Sequence, residues 1–439
     1  MDALIQHAPP LTGSLTVPPD KAIGQRAVLV AALASGSTEI RPGLSSEDCQ
    51  RALDVARGLG ADIQPAADAV RIRGGALRAP AGELCCGESG TTLRLAAGLL
   101  AGQPFTSRLT AGPGLSRRPM RRIIEPLTRM GARIDGVVSP GSREVCPPLT
   151  IHGRRPLRAL RYQLPVASAQ VKSAILLAGL SADGPVLIEE PQPTRDHTER
   201  LLQRCGLQVE RQGLLVTLQP GPLHTPGTLL LPGDISSAAF FIVAACCVAG
   251  SRLTVRDVGL NPTRTGFLAV LARMGASVRT TDGEDGAWEP RGTLQVEARP
   301  LRAAVITPAD VPALIDELPV LMVAAACATG TSRFEGLGEL RVKETDRIRS
   351  MTDGLRRLGA VVEAAGAEAL TIRGGRLRGA EVDSAGDHRT AMSLAVAGLL
   401  ADGTTTIRGA ECVGKSFPEF FERLRLAAGS PTVKTVDKP

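Results

Sequence analysis

The sequence predicts an α/β protein of about two domains, and three features of its 439 residues lead to that prediction. The chain is too long for one ordinary hydrophobic core. Apolar residues make up 43% of it but aromatic residues only 2%, so the core has to be built from Ala, Leu and Val. The 48 Gly and 32 Pro divide it into short elements, which favours α/β layers over an aromatic-rich sandwich.

One phrase recurs six times along the chain: a polar cluster, a helix of small apolar residues, a Gly and a β-branched strand. The six polar clusters read PPDKAIGQR, CGESGTTLR, PVASAQVK, PGDISSAA, DVPALIDE and SAGDHRTA. The glycines after the six helices are Gly36, Gly102, Gly184, Gly250, Gly330 and Gly403. A loop and a second helix follow each strand, so each unit is predicted as helix, strand, helix, strand.

Five of the second helices end in a phrase in which Gly follows a hydrophobic residue or Cys. These glycines are Gly60, Gly131, Gly206, Gly275 and Gly359. Glycine is favoured where a helix closes with a left-handed residue. The pattern therefore predicts such a residue at the end of each of these helices.

The loops before the second helices are rich in cations, and one of them looks like a phosphate loop. Residues 409 to 416 read GAECVGKS, which fits the GxxxxGK(S/T) pattern. A true phosphate loop begins a parallel sheet that continues after it, and only 23 residues follow Ser416 in this sequence. The pattern is therefore not interpreted as a nucleotide site, and Lys415 is interpreted as a cation on a helix-leading loop.

The positive charge of the chain favours small anions as ligands. A net charge of +7 and a pI near 9.1 would also suit nucleic acid or a membrane surface. Proteins that stack bases need aromatic residues beside their cations, and one Trp, one Tyr and eight Phe supply few of them. Helix N-termini attract phosphate and carboxylate, so cations gathered there predict an anion site.

Four of these polar regions also contain carboxylates next to cations. They are Asp20-Lys21, Asp316-Glu317, Lys343-Glu344 with Asp346-Arg347, and Asp387-His388-Arg389. Each could be a surface ion pair or a simple helix cap. Their recurrence at equivalent points of the repeat favours general acid and base chemistry beside bound anions.

Other site classes are weakly represented in the sequence. The nine cysteines show no CxxC spacing and the five histidines no HExxH or HxxxH spacing, so neither a disulfide nor a metal site is predicted. The start of the chain has no signal-peptide pattern, and the apolar run AAFFIVAACCVA is too short for a membrane span. We expect a cytoplasmic protein with reduced thiols and no cofactor.

Taken in order, the motifs resemble those of the EPSP synthase (5-enolpyruvylshikimate-3-phosphate synthase) family over nearly the whole chain. They are PPDKAIGQR, GESGTTLRL, SRRPM, PVASAQVKSAILLAGL, TRDHTE, NPTRTG, IDELP, RVKETDRI, DHRTAM and GKSFPEF, of which RVKETDR, DHR and SAQVKSA are specific. The resemblance implies a two-domain inside-out α/β barrel with three units per domain and an active site in the interdomain cleft. One domain would be residues 21–230 and the other 1–20 plus 231–439.

The resemblance also implies a reaction. The enolpyruvyl (carboxyvinyl) group of phosphoenolpyruvate would pass to the 5-hydroxyl of shikimate 3-phosphate, with release of phosphate through a tetrahedral intermediate. The implied partners are these two small molecules, with no nucleic acid, no membrane and no metal or other cofactor. The protein would act as a monomer in the biosynthesis of chorismate and aromatic amino acids.

The resemblance assigns roles to residues of both implied domains. Lys21, Asp316, Lys343 and Glu344 would be catalytic, with Asp316 as the base for the 5-hydroxyl and Glu344 handling the proton at the methylene carbon. Shikimate 3-phosphate would contact Lys21, Ala22, Arg26, Ser168, Ala169, Gln170, Arg195, Asp316 and Lys343. Phosphoenolpyruvate would contact Lys21, Gly90, Arg118, Gln170, Arg347, Arg389 and Lys415.

Several positions depart from the family pattern. Ala22 and Gly24 stand where two serines are usual, so a hydroxyl expected on the shikimate carboxylate is missing. Gln25 replaces a His or Asn, and Leu95 stands where part of the family has Pro. Glu88 replaces an Asn, and its carboxylate should repel anionic substrates unless it is paired or protonated.

Three other interpretations remain open at the level of the sequence. The departures Ala22, Gly24 and Glu88 motivate a non-catalytic homologue that binds anionic metabolites, but every acid, base and phosphoenolpyruvate ligand implied by the resemblance is present. UDP-N-acetylglucosamine enolpyruvyl transferase shares the fold and the chemistry. That family usually has Asn after the first lysine and a Cys in the loop before an Arg-Pro pair, whereas here Ala22 follows Lys21 and the loop GPGLSRRPM has no Cys. Nucleic-acid binding is the third, based on the charge alone.

Overall fold

The computed structural model describes residues 1–138, 144–281, 283, 288–429 and 431–436. Pairs of α-helices follow each other along the chain, as the repeat predicts. The helices are α1 (Lys21–Leu33), α2 (Glu47–Gly58), α3 (Gly90–Ala101), α4 (Arg121–Arg129), α5 (Ala169–Gly179), α6 (His197–Arg204), α7 (Ile235–Cys247), α8 (Gly266–Arg273), α9 (Leu318–Cys327), α10 (Arg347–Arg357), α11 (His388–Leu400) and α12 (Phe420–Ala428).

The strands are short and form six four-stranded sheets. They are β1 (Asp2–Gln6), β2 (Thr12–Leu15), β3 (Gly36–Arg41), β4 (Asp62–Ala66), β5 (Ala69–Gly74), β6 (Leu84–Cys85), β7 (Thr106–Thr110), β8 (Arg133–Val138), β9 (Val145–His152), β10 (Leu160–Gln163), β11 (Val186–Glu189), β12 (Val209–Gln212), β13 (Leu215–Leu218), β14 (Thr228–Leu230), β15 (Arg252–Gly259), β16 (Ser277–Thr281), β17 (Arg291–Glu297), β18 (Val305–Ile306), β19 (Thr331–Phe334), β20 (Val361–Ala364), β21 (Leu370–Arg373), β22 (Glu381–Asp383), β23 (Thr404–Arg408) and β24 (Val433–Val436).

All six sheets have the same topology, which confirms the sixfold repeat. In the sheet ordered β6-β7-β9-β8, β6 is parallel to β7, and β9 is antiparallel to both β7 and β8. The sheets β14-β3-β5-β4, β10-β11-β13-β12, β2-β15-β17-β16, β18-β19-β21-β20 and β22-β23-β1-β24 repeat this pattern. The first helix of each pair precedes the second strand of its sheet, and the second helix follows that strand.

The chain divides into two compact units, Pro19–Leu231 and Met1–Pro18 with Pro232–Pro439. Each unit contains three of the sheets. The strands β1 and β2 belong to the second unit, where β1 lies between β23 and β24 and β2 is parallel to β15.

The two helices of a pair differ in burial, and their sequences explain why. The first helix is small and apolar and lies in the core: in α7, 12 of the 13 residues are buried. The second helix is amphipathic, as in α10, where six of 11 residues are buried. Small residues also let first helices pack closely, because a Cβ at Gly98 on α3 would collide with the backbone of Ala174 on α5.

The glycines after the second helices adopt the predicted conformation. All five have positive φ, with values of +95°, +109°, +87°, +88° and +87° at Gly60, Gly131, Gly206, Gly275 and Gly359. The glycines after the first helices are less uniform. Gly102 caps α3 with a φ of −89°, and α5 ends at Gly179, before the predicted Gly184.

The GAECVGKS segment is not the phosphate loop of a nucleotide-binding sheet, as the sequence analysis concluded. Its residues Ala410–Lys415 form a 3-10 helix that follows Gly409 at a φ of +67°. The helix α12 comes next, and the strand after it, β24, is antiparallel to β1. Within the described part of the chain, no helix is long and apolar enough to span a membrane.

Candidate active site

In the unit Pro19–Leu231, the three first helices begin with polar caps. Asp20 accepts hydrogen bonds from the backbone N–H groups of Ala22 and Ile23 at the start of α1. Ser89 and Ser168 cap α3 and α5 in the same way. The capping interpretation therefore holds for these three residues, and it accounts for Ser168 without a ligand.

Lys21, the first residue of α1, is paired with an acid that the sequence analysis did not identify. Its Nζ lies 2.9 Å from Oδ2 of Asp48 on α2, and both side chains are largely buried. The local signal was weak, because Asp48 has the position and residue type of an ordinary acidic first turn. The ion pair holds the ammonium at the N-terminus of α1.

Two amide side chains connect the beginnings of these helices. Oε1 of Gln25 accepts hydrogen bonds from the hydroxyls of Ser89, at 2.8 Å, and Thr92, at 3.0 Å. Gln170 at the start of α5 accepts from Nη1 of Arg94 at 2.7 Å and donates to Oγ1 of Thr91 at 2.8 Å. Gln25 thus links α1 to the start of α3.

Arg26 is buried on α1 and rests on the second half of the unit. Its Nε donates to Oγ1 of Thr198 at 2.8 Å and its Nη2 to Oγ of Ser173 at 3.1 Å. Its Nη1 donates to the carbonyl of Ala22 at 2.8 Å. Ser173 and Thr198 were not predicted, because they lie in a different repeat unit from Arg26 and nothing local relates them to it.

Gly90 begins α3 against two guanidinium groups. A Cβ at this position would lie 2.8 Å from Nη1 of Arg94 and 3.1 Å from Nη1 of Arg118. Arg118 directly follows the 3-10 helix Leu115–Arg117. A side chain at residue 90 would therefore have to displace at least one of the two arginines, and the sequence analysis had identified only Arg118.

The carboxylate of Glu88 is paired in a way that the sequence did not predict. It accepts hydrogen bonds from the backbone N–H groups of Gly114, at 3.0 Å, and Leu115, at 2.7 Å. A Cβ at Gly114 would lie 2.7 Å from its Oε2, so the loop is built around this carboxylate. Glu88 thus fixes the segment that leads to Arg118.

The other departures have different structural contexts. An added Cβ at Gly24 would lie 2.8 Å from Cδ2 of Leu44 and 3.1 Å from Sγ of Cys49, so a serine there would have to displace the Leu44 side chain. Ala22 is partly exposed, and Leu95 is fully buried. Ala169 follows Ser168 at the start of α5, and Arg195 is half-buried in the loop before α6.

In the unit that contains Pro232–Pro439, the predicted acids and cations form one cluster around Arg347. This side chain is 1% exposed and contacts three carboxylates. Its Nε lies 2.8 Å from Asp387, its Nη2 2.7 Å from Glu344 and its Nη1 3.4 Å from Asp316. Burial alone would lower the pKa of Arg347, but the three carboxylates raise it above the ordinary value.

Asp316 and Glu344 each contact a second cation in this cluster. Nη1 of Arg389 donates to the carbonyl of Asp316 at 3.2 Å, and Nη2 lies 3.6 Å from its Oδ2. Nζ of Lys415 lies 3.3 Å from Oε1 of Glu344. Lys343 is half-buried immediately before Glu344.

Asp387 is a positioning residue that the sequence analysis placed in a charged cluster but not in the site. It is fully buried and caps α11 by accepting from the backbone N–H of Arg389 at 2.8 Å. The same side chain binds Nε of Arg347. It therefore holds both arginines, one through its side chain and one through its backbone.

The sequence also missed a second buried network beside Asp316. Glu317 accepts a hydrogen bond from the hydroxyl of Ser236, and Nη2 of Arg264 donates to that hydroxyl at 2.7 Å. Nη2 of Arg264 also lies 3.2 Å from Asp234, the cap of α7. These contacts attach the segment that carries Asp316 to the N-terminus of α7.

A repeated α/β fold with Lys, Arg and carboxylates concentrated at its helix N-termini defines a class of enzymes that act on small anionic substrates. Among the described residues, no group of three or more His, Cys, Asp or Glu is arranged to hold a metal ion.

Comparison with known proteins identifies the family within this class. A family model described as EPSP synthase (3-phosphoshikimate 1-carboxyvinyltransferase) matches residues 5–424. The 3-phosphoshikimate 1-carboxyvinyltransferase of Acidithiobacillus ferrooxidans is 47% identical, and the match covers 95% of this chain and 95% of that protein. The enzyme of the same name from Nitrosococcus oceani is also 47% identical, and the match covers 96% of this chain and 94% of that protein. A solved EPSP synthase structure from Acinetobacter baumannii superposes with a TM-score of 0.86 at 40% identity, covering 99% of each chain. The chain belongs to the EPSP synthase family of enolpyruvyl transferases, and the predicted fold class is confirmed.

Proposed function

We propose that this protein is a 3-phosphoshikimate 1-carboxyvinyltransferase. It transfers the enolpyruvyl group of phosphoenolpyruvate to the 5-hydroxyl of shikimate 3-phosphate and releases phosphate. The observation that carries the proposal is the cluster around Arg347. Two carboxylates, Asp316 and Glu344, both contact this buried guanidinium, and each contacts a second cation as well. Such a cluster places a proton acceptor, a second carboxyl group that can donate a proton, and cations that can bind an anion close together.

In this proposal, shikimate 3-phosphate binds to the first helices of Pro19–Leu231. Its phosphate takes hydrogen bonds from Ser168, Ala169, Gln170 and Arg195, and its carboxylate pairs with Arg26. Lys21 bridges this substrate and phosphoenolpyruvate. The N-terminus of α5 favours the phosphate because its first N–H groups and its dipole both attract an anion.

Phosphoenolpyruvate is proposed to bind to Arg118, Arg347, Arg389 and Lys415. Its phosphate can replace Glu344 at Arg347 and Lys415, which the structure pairs with this carboxylate at 2.7 Å and 3.3 Å. Glu344 then has less cationic stabilisation and can take up a proton. Gly90 lets the guanidinium groups of Arg94 and Arg118 lie against the start of α3, where a Cβ would come within 2.8 Å and 3.1 Å of them.

The proposed chemistry then needs two proton transfers. Asp316 accepts the proton of the 5-hydroxyl, which Lys343 orients, as the hydroxyl oxygen attacks C2 of phosphoenolpyruvate. Glu344 delivers a proton to the methylene carbon, giving a tetrahedral intermediate. Glu344 then takes a proton back from the resulting methyl group as the bond between C2 and the phosphate oxygen breaks, so the enol ether forms and Glu344 returns to its protonated state. The proton held by Asp316 leaves with the released phosphate, directly or through solvent.

The test is phosphate release from the purified protein with each substrate alone and with both. We expect release to require both, and Asp316→Asn to reduce kcat about 100-fold or more, the usual loss for a missing general base. Asp310→Asn is the matched control, since Asp310 pairs with Arg273 at 2.9 Å and lies outside the proposed site. Release that Asp316→Asn leaves intact would contradict the assignment of the base.

The same assay separates the alternatives. A non-catalytic homologue would bind shikimate 3-phosphate without releasing phosphate. A UDP-N-acetylglucosamine enolpyruvyl transferase would release phosphate only when that sugar nucleotide replaces shikimate 3-phosphate. We also propose that the protein is a cytoplasmic monomer. Sedimentation of the purified protein with and without both substrates would test the monomer, and fractionation of cells would test the location.

A further inference from the structure

A charged cluster behind the start of α5 is buried and is not used by the proposed mechanism. Lys172, two residues after Gln170, is fully buried, and its Nζ lies 2.6 Å from Oε1 of Glu199 on α6 and 3.0 Å from Oε2 of Glu190 after β11. Arg211 also contacts Glu190, at 3.3 Å. Burial raises the pKa of Glu199, and Lys172 opposes this rise. A buried ammonium with two carboxylates is costly to desolvate, and its retention suggests a role besides stability.

The cluster fixes the loop that carries Arg195. Nζ of Lys172 donates to the backbone carbonyl of Thr194 at 3.4 Å, and the hydroxyl of Thr194 donates to Glu190. On the other side of Arg195, Asp196 accepts from Nε of Arg200 at 2.9 Å. Both neighbours of Arg195 are therefore anchored.

The contact between α5 and α6 continues through the adjacent residues. The hydroxyls of Ser173 and Thr198 are 2.6 Å apart, and Arg26 donates to both of them. Residues 172 and 173 are consecutive on α5, and residues 199 and 198 are consecutive on α6. The Lys172–Glu199 ion pair therefore fixes the two helices on which Arg26 rests.

We propose that Lys172 is a positioning residue for shikimate 3-phosphate, holding the Arg195 loop and the Ser173–Thr198 pair that supports Arg26. The inference rests on the proposed function, in which Arg195 and Arg26 bind the phosphate and the carboxylate of that substrate. Lys172 itself has no exposed surface and does not contact the substrate. A displacement of about 1 Å at such a site can cost about 100-fold in rate.

Steady-state kinetics with both substrates varied separately tests the proposal. Lys172→Met should raise the KM for shikimate 3-phosphate at least tenfold. The KM for phosphoenolpyruvate and kcat at saturating shikimate 3-phosphate should stay within about threefold, because the catalytic cluster lies in the other unit. Ile175→Ala, a truncation of a fully buried residue on the same helix, is the matched control and should lower the melting temperature while leaving both KM values unchanged.

Two further variants separate positioning from charge and from folding. Lys172→Met with Glu199→Gln removes one charge of each sign but does not restore the contact to Thr194, so its KM for shikimate 3-phosphate should stay high. Thr194→Val keeps the lysine, removes the hydroxyl that binds Glu190, and should raise the same KM about threefold or more. It tests the loop even if Lys172→Met does not fold.

The outcomes distinguish this inference from the proposed function. If the wild-type protein releases no phosphate with both substrates, the proposed function fails. If the wild type is active and the KM for shikimate 3-phosphate is unchanged in both Lys172→Met and Thr194→Val, the positioning role is wrong. Full recovery of that KM in the double variant would also overturn it, since it would show that only the buried charge matters.

Discussion

The replacement of Glu88 by Asn decides between two opposite effects of one carboxylate. The sequence alone predicts that Glu88 repels anionic substrates, so its removal should lower the KM for phosphoenolpyruvate. The structure predicts the reverse, because Glu88 accepts hydrogen bonds from Gly114 and Leu115 in the loop that leads to Arg118. Arg118 is a proposed ligand of phosphoenolpyruvate.

The two hydrogen bonds set the size of the effect. A hydrogen bond to a charged group contributes about 1.5–3 kcal/mol when it is buried. Glu88 is only half-buried, so solvent weakens both bonds, and together they contribute about 1.5 kcal/mol, half of twice the lower value. If this free energy is what orders the Arg118 loop for binding, the KM for phosphoenolpyruvate should rise about tenfold in Glu88→Asn.

The assay is phosphate release at saturating shikimate 3-phosphate with phosphoenolpyruvate varied. Glu83→Gln is the matched control, because it removes the same charge from the same unit and Glu83 is an exposed residue paired with Arg108 at 2.8 Å. Its KM should be that of the wild type. Glu88→Gln keeps an acceptor oxygen of similar reach and should lie between wild type and Glu88→Asn.

A KM that falls in Glu88→Asn would refute the anchoring argument and restore electrostatic repulsion as the main effect. An equal rise in Glu83→Gln would also refute it, since the effect would then follow net charge rather than the contacts of the loop.

Three other predictions follow from packing and exposure. Ala22→Ser should lower the KM for shikimate 3-phosphate about tenfold or more, because a hydrogen bond to a charged group contributes about 1.5 kcal/mol or more. Gly24→Ser should not lower this KM and should lower the melting temperature, because its Cβ would lie 2.8 Å from Leu44. Phe420→Ala should reduce the free energy of unfolding in urea by about 3–5 kcal/mol, since Phe420 is fully buried against four other phenylalanines. Cys85 is exposed and the other eight cysteines are buried or half-buried, so a disulfide reagent should show one fast thiol that Cys85→Ser removes.

The sequence was sufficient for features that depend on local pattern. The six polar clusters, their caps such as Asp20 and Ser89, and the left-handed glycines such as Gly60 are all determined by neighbouring residues, and the structure confirms them. Four strands per sheet could not be predicted in the same way. Strands as short as β6 and β18, with two residues each, are too short to show alternation of polar and apolar residues.

The sequence was insufficient where the partner of a residue lies far along the chain. Lys21 pairs with Asp48, Arg26 rests on Thr198, and Glu317 bonds to Ser236, and in each case both residues look like ordinary helix starts or surface polar residues. Glu88 shows the same limit, because only the fold brings backbone N–H groups to it. The roles of the individual site residues stay predictions until the variants are measured.

The position of β1 has a consequence for how the chain is synthesised. Residues Asp2–Gln6 pair on one side with residues 404–407 and on the other with residues 433–436. The unit Pro19–Leu231, by contrast, is one uninterrupted stretch of chain. On a ribosome, this stretch can therefore fold as soon as it emerges, while β1 is translated before it and has no partner strand until β23 has been translated. The sheet that contains β1 can therefore be completed only after residues 404–407 and 433–436 have been translated.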